Sequence, residues 1–263
     1  MLSNYIKVAT RNLLRQKGFS FINIFGLALG ITCTALIGMW VNDELSYDRF
    51  HNGYDRIYRV TATLPEMKVH AAVSSAPLAL AAKSEIPEVD KAVRVSSLNR
   101  DLMQVGDIKF EEKGVLYADS NFFSLFSFPF IKGDRDHALE NPEGIVISEK
   151  MAMKYFGTTD VLEKTIRKNN KDDFTVTGVI ADVPDNSHLK FDFVQPMRFL
   201  ARTNEDLRKN TWDNFNFFTY IKLNSNAQQS KATIADLEKK LQAIYKKNEI
   251  GRASCRERVF VGV

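Results

Sequence analysis

Residues 19–41 read FSFINIFGLALGITCTALIGMWV, a stretch of 23 residues without a charged side chain. Coiled as a helix it extends about 35 Å at 1.5 Å per residue, enough to cross a hydrocarbon layer of about 30 Å with some tilt. A cleaved signal peptide has an apolar run of only about 7–15 residues followed by a small-residue cleavage site. Here the run is longer and leads through Trp40 into Asn42, Asp43 and Glu44. The stretch therefore predicts a transmembrane helix over residues 19–41.

The flanks orient it. Lys7, Arg11, Arg15 and Lys17 precede the span with no acid among them, whereas Asp43, Glu44 and Asp48 follow it with Arg49. Cations stay on the cytoplasmic side, so the N-terminus is expected in the cytoplasm and the bulk of the chain across the inner membrane, in the periplasm. Within residues 1–18, Leu2, Ile6, Ala9 and Leu13 recur at helical spacing, and Lys7, Arg11 and Arg15 recur every four positions beside them. That pattern predicts an amphipathic helix on the anionic leaflet; a solvated basic flank without fixed structure is the alternative. Inside the span, Gly26, Gly30, Thr34 and Gly38 fall every four residues, with Asn23 on the same side. Small residues on one face let a second membrane helix approach closely, so this face is expected to pack against other spans.

The whole chain has 263 residues and a net charge of +4. The basic start accounts for that excess, which leaves the rest electrically balanced and offers no broad basic surface for nucleic acid. Cys33 lies within the span and Cys255 near the far end, so neither a disulfide framework nor a cysteine zinc site can be built from them.

Beyond residue 42 the patterns alternate between strand and helix, which makes the exported part α+β. Arg56–Thr63 and Phe174–Val183 read as strands, as do Val89–Ser97, Asp101–Gly106, Ile108–Lys113, Ile145–Ile147, Phe191–Gln195 and Phe217–Leu223. Ala71–Ser84, Ser120–Phe126, Ser148–Tyr155 and Lys231–Lys246 read as helices, the last with Ile234, Leu237, Leu241 and Ile244 on one face. There is no phosphate-binding GxxxxGK[ST] loop. His51, His70, His137 and His188 are scattered and expected on the surface or in loops, and Glu111-Glu112 and Asp172-Asp173 are expected to be solvated. The aromatics Phe122, Phe123, Phe126, Phe128 and Phe130, and likewise Trp212, Phe215, Phe217 and Phe218, are expected in cores. No catalytic, cofactor or metal residue is assigned.

RNLLRQKGFSFINIFGLALGI (11–31), NDELSYDRFHNGYDRIYRV (42–60), YADSNFFSLFSFPFIKGD (117–134), ALENPEGIVISEKMAMKYFG (138–157) and FTVTGVIADVPDNSHLKFDF (174–193) together resemble the permease subunits of MacB-like, FtsX-family ABC transporters. The resemblance covers the first transmembrane helix and the periplasmic core domain that follows it. It implies a core domain over residues 42–248 with an inserted, strand-rich lobe at about 119–205. It also implies a dimer of permease copies, a separate cytoplasmic ABC ATPase as partner and a possible periplasmic partner. Motion driven by that ATPase would be transmitted across the membrane to export or extract a lipoprotein, peptide or drug, with no catalytic residue in this region. Such permeases carry further spans after the core domain. At that place this chain has EIGRASCRERV (249–259), which resembles a translated sequencing adapter, so residues 249–263 are expected to be an artefactual tail. A signal-anchored periplasmic sensor or binding module is the alternative, and a membrane-tethered enzyme a third.

Overall fold

The computed structural model describes residues 2–64, 69–225, 231–248 and 258–262. It divides into two compact units, Met1–Tyr47 and Asp48–Val263. The first consists of helices α1 (Leu2–Arg15) and α2 (Lys17–Leu45), separated by Gln16 at φ −112°, ψ 57°. The helix expected over 1–18 thus stops at Arg15, and Lys17 opens the next one. The expected span is the middle of a longer helix, because Asn42–Leu45 contain no glycine or proline to end it. Helix α2 has 29 residues, about 44 Å at 1.5 Å per residue. It ends where the Ser46 hydroxyl and amide both donate to the Asp43 carbonyl, at 2.7 and 3.0 Å. No residue of α2 is buried within the chain.

The second unit opens with a turn of 3-10 helix (Tyr54–Arg56) and β1 (Ile57–Leu64). Then come β2 (Val69–Ala71), β3 (Ser74–Ser75), α3 (Leu78–Glu85), β4 (Val89–Val95), β5 (Asn99–Val105), β6 (Ile108–Ala118), α4 (Phe122–Leu125) and β7 (Phe130–Gly133). The chain continues through β8 (Gly144–Ser148), α5 (Glu149–Phe156), β9 (Thr165–Lys168), β10 (Asp172–Ile180), β11 (Phe193–Pro196), α6 (Met197–Leu200) and α7 (Glu205–Lys209). It closes with β12 (Phe215–Leu223), α8 (Lys231–Asn248) and β13 (Arg258–Gly262). The fold is α+β, as expected.

Strand pairing runs β11-β8-β10-β9-β5-β6-β4-β12-β1-β13, and β11 also pairs with β6. That extra pairing joins β11, β8, β10, β9, β5 and β6 into a closed ring. The β8–β10 and β6–β11 pairs are parallel and the other pairs of the ring antiparallel. Closure covers edges that an open sheet would expose, apart from residues 108–113 of β6, which β11 does not reach. The ring includes β5 and most of β6, which precede residue 119. Met103, Val115, Ile147, Phe174, Val176 and Phe193 pack in one apolar cluster with Met151, Ala152 and Tyr155 of α5. At period two, Asp101, Tyr117 and Gln195 share strand faces with Met103, Val115 and Phe193, and Lys168 shares one with Ile166 of the same cluster. Lys168 is buried; its ammonium lies 3.0 Å from Asp101 and donates to Gln195 Oε1 at 3.0 Å and to the Tyr117 hydroxyl. A buried charge requires such partners.

Beside the ring, α3 and α8 cover one face of β4, β12 and β1 through Leu78, Ala82, Ile86, Leu237, Leu241 and Ile244. The opposite face carries Val93, Val95 and Tyr220 against Phe122, Phe123, Phe126 and Phe128, all four phenylalanines at most 1% exposed. The two aromatic groups expected in cores are there, with Phe217 buried and Trp212, Phe215, Phe218 and Phe130 packed at the margins.

Some local expectations differ, and some elements had no expectation to meet. Ala71–Ser84 becomes helical only at Leu78, because Ser74 and Ser75 are held as a strand: the Ser74 hydroxyl meets Thr219 Oγ1 at 2.7 Å, and the Ser75 amide donates to Tyr245 Oη at 3.2 Å. Glu112 is buried rather than solvated, taking hydrogen bonds from the Tyr155 hydroxyl at 2.6 Å and from Lys154 at 2.8 Å. Strands β7 and β9 have four residues each, too few to display alternation. Finally, Arg258–Gly262, within the segment read as a tail, pairs antiparallel with Arg59–Thr63 of β1. The rest of that segment lies outside the described residues.

Gly133 sits at φ +93° where β7 meets β10, and a Cβ there would lie 2.4 Å from the Thr177 carbonyl oxygen. Gly133→Ala is expected to destabilise the domain by about 2–3 kcal/mol. Gly106→Ala, at φ +55° in open space, should cost about 1 kcal/mol. Urea unfolding of the full chain in detergent micelles measures both.

Candidate functional site

The residues singled out from sequence lie in the first unit. Asn23, Gly26, Gly30, Thr34 and Gly38 line one side of α2, all exposed. A Cβ added at Gly26, Gly30 or Gly38 would meet nothing within 4 Å. The Thr34 hydroxyl donates to the Gly30 carbonyl at 2.8 Å, and Thr32 does the same to Ala28, so neither presents an unsatisfied donor to lipid. Lys7, Arg11 and Arg15 are exposed along α1, while Lys17 stands apart from them at the start of α2. These residues have no close contact with one another beyond their helices; they form two surfaces, one small and one basic.

The second unit brings together residues that spacing could not connect. Asp48, its first residue, has φ +57°. Its amide donates to the Asn186 carbonyl at 2.8 Å, and its carboxylate takes the His188 amide at 3.1 Å and His188 Nδ1 at 2.7 Å. The other ring nitrogen, Nε2, meets the Tyr220 hydroxyl at 2.8 Å. An Asp–His–Tyr chain therefore ties the start of the unit to β12. Burial works against the Asp48 carboxylate, but the hydrogen bond and charge of His188 outweigh it and hold the group below its usual range. Burial pushes the Tyr220 hydroxyl up to about 12, so it stays a donor.

His51 is only 3% exposed, contrary to the surface position expected for it. It packs against Phe50, Phe126 and Phe128 at centroid distances of 4.0–5.1 Å, and Nδ1 accepts the Ser127 amide at 3.0 Å. Its partner is 76 positions away, which is why spacing carries no trace of it.

A cleft of about 270 Å³ opens beside this chain, lined by Arg59, the Ser96–Leu98 segment, residues 188–191, Phe218 and Tyr220. The Arg59 guanidinium lies 4.7 Å from the Phe218 ring centroid and donates to the Ala72 carbonyl at 3.3 Å. Among the described residues no carboxylate lines the cleft. Lys190, at its rim, donates to the Pro184 and Asp185 carbonyls at 2.9 and 2.6 Å. The arrangement suits reversible binding of a group with oxygen acceptors. Among the described residues no three His, Cys, Asp or Glu side chains are grouped to hold a metal ion.

The chain thus joins an apolar helix long enough to cross a membrane to an α+β unit that contains a six-stranded ring. The profile of the MacB-like periplasmic core domain matches residues 20–240, and the chain belongs to that family. Among solved structures it is similar to a domain of a protein assigned as a permease from Porphyromonas gingivalis, at 26% identity and TM-score 0.64, covering 79% of this chain and 90% of that one. Two others share the fold. The periplasmic region of MacB from Actinobacillus actinomycetemcomitans has 14% identity and TM-score 0.54, over 78% and 87% of the two chains. The extracellular domain of the noncanonic ABC-type transporter YknZ from Gram-positive bacteria has 15% identity and TM-score 0.55, over 79% and 100%. No curated protein matches the sequence significantly.

Burial pushes the His51 imidazole down to about 4, with the charges of His188, Lys222 and Arg135 acting in the same direction and Asp48 opposing. The unfolded chain, with an imidazole near 6.5, then binds the extra proton between about pH 6.5 and 4. His51 stability is therefore complete above that window and lost on descending through it. Melting temperature should fall as pH drops from 6.5 to 4, and His51→Gln should flatten that fall. An unchanged pH profile in the variant would remove His51 as its source.

Proposed function

We propose that this chain is a membrane-anchored permease subunit that passes motion, driven by a cytoplasmic ABC ATPase, from its membrane helix to the periplasmic domain. That motion serves export or extraction of a lipoprotein, peptide or drug. The observation that carries this reading is the way the chain leaves α2. Only Ser46 and Tyr47 separate the end of α2 from Asp48, and Asp48 is fastened to residues 186–188 by three hydrogen bonds. A connection this short cannot absorb a displacement as a flexible linker does.

In this reading α2 crosses the inner membrane with α1 on the cytoplasmic leaflet, where each base contributes about 1 kcal/mol of attraction to anionic lipid. The charge asymmetry of the flanks supports that orientation. The small face at Asn23, Gly26, Gly30, Thr34 and Gly38 packs against other membrane helices, including those of a second permease copy. A periplasmic partner engages the exported domain. The division of residues 42–248 into a membrane-proximal portion and an inserted lobe belongs to the same reading.

The cleft at Arg59 favours a second reading, a signal-anchored sensor or binding module. That reading predicts ligand binding without dependence on an ATPase.

Two measurements test the permease reading. With Cys33 and Cys255 replaced by serine, Ser84→Cys should react with a membrane-impermeant maleimide in intact cells and Arg11→Cys should not; the reverse pattern would invert the topology. Gly26→Leu with Gly30→Leu should reduce co-purification with the ATPase subunit and the second copy at least severalfold. Unchanged assembly would remove the small face as a packing surface.

A further inference from the structure

The β5–β6 hairpin carries an edge that the ring does not use. β6 pairs with β5 along Ile108–Val115, but on its other side β11 covers only Val115–Ala118. Among the described residues no strand occupies the outer edge of residues 108–113. The turn at Gly106-Asp107 makes Val105 and Ile108 the closing pair of a two-residue hairpin, which is a hydrogen-bonded pair. Alternation then directs the backbone groups of Ile108, Phe110 and Glu112 to β5 and those of Lys109 and Glu111 outward. The parity is corroborated on β5. There Leu102 turns its amide and carbonyl away from β6 to Asn169, at 2.9 and 2.8 Å. Lys109, Glu111 and Lys113 are exposed, and Ile108 and Phe110 are 40% and 49% exposed.

We propose that this edge pairs antiparallel with the same edge of a second copy, about a two-fold axis at Phe110. The charges select that register. Outward-facing residues must pair with outward-facing residues, so the centre can move only in one-residue steps along the strand. Centred on Phe110, Lys109 of each copy faces Glu111 of the other, and Asp107 approaches Lys113. Centred on Glu111, the pairs become Glu111 with Glu111 and Lys109 with Lys113. Centred on Lys109, they become Lys109 with Lys109 and Asp107 with Glu111. Opposite charges across a strand pair attract and like charges repel, so of these three only the first is attractive. Centring on Ile108 also sets Asp107 against Lys109, but in the turn and over fewer residues, and centring on Glu112 sets Glu111 against Lys113 but drives Lys109 onto Val115, which β11 covers. Charged edges ordinarily deter strand addition; this pattern favours its own copy aligned on Phe110. Asn170 Oδ1 accepts from the Lys109 ammonium at 2.6 Å, which places that ammonium and leaves it two further N–H donors. A pairing of this length is too small to hold a dimer alone, so it acts between copies already confined to one membrane. It rests on the reading that two copies assemble.

The test uses the full chain in its membrane with Cys33→Ser and Cys255→Ser. Phe110→Cys should form an intermolecular disulfide on mild oxidation, because facing residues of a non-hydrogen-bonded pair have Cα atoms about 4.5 Å apart, within disulfide reach. Glu111→Cys, which faces Lys109 and not itself, should not. Adding Lys109→Glu to Phe110→Cys should lower the cross-linked fraction roughly tenfold, and further adding Glu111→Lys should restore it. Counting photobleaching steps of the labelled chain in liposomes reports assembly independently. Single copies would overturn both the assembly and this interface. Paired copies in which Phe110→Cys does not cross-link, or cross-links regardless of the charge reversal, would overturn the interface and leave the assembly standing.

Discussion

The pairing of β1 with β12 is the constraint on which the exported unit depends. Ile57–Val60 lies antiparallel to Thr219–Lys222, joining strands from opposite ends of the unit, and everything between them must fit inside the loop so formed. Closing such a loop costs entropy that rises only slowly with its length, and here several interactions offset it together. β12 is also paired with β4 on its other side, its apolar faces are covered by α3 and α8 and by the phenylalanine cluster, and Tyr220 receives the Asp48–His188 chain. Losing the register of β12 would expose all of these at once.

Much of this was legible in sequence. The uncharged run, the α+β alternation, the strands at Phe174–Ile180 and Phe217–Leu223 and the amphipathic Lys231–Asn248 helix all announce themselves through periodicity. What did not was non-local. A ring closed by a β6–β11 pairing has no signature in either strand, since each reads simply as an apolar segment. Ser74 and Ser75 look like part of a helix until Thr219 and Tyr245 are placed beside them. The acid at Glu112 reads as solvated until Tyr155 and Lys154, more than forty residues on, arrive from α5. The surfaces on α1 and α2 show the reverse case. Their residues share a side by spacing alone, because a helix fixes its own faces.

Two buried polar groups divide the unit by chemistry. In the ring, Lys168 is neutralised by Asp101 and hydrogen-bonded by Gln195 and Tyr117, an arrangement that is expensive to break because any missing partner leaves a charge stranded. At the start of the unit, Asp48 and His188 are only partly withdrawn from water, while Tyr220, which closes their chain, is buried. His51 lies among aromatics as a neutral ring. One group stiffens the ring, and the other fastens the entrance of the chain.

The ring and the β4–β12–β1 sheet meet along a narrow line. β4 pairs with β6 at Val95 and Ala118, and beside that pair the Arg94–Asp119 ion pair, two hydrogen bonds between Ser96 and Tyr117, and the shared apolar cluster of Phe122, Phe126, Phe128, Val146 and Val194 also join the two. Hydrophobic contact has no preferred direction, whereas a ladder of hydrogen bonds does. The phenylalanines alone would let the ring swivel against the sheet, and it is the directional contacts of Arg94, Ser96 and Tyr117 that hold the two in one orientation.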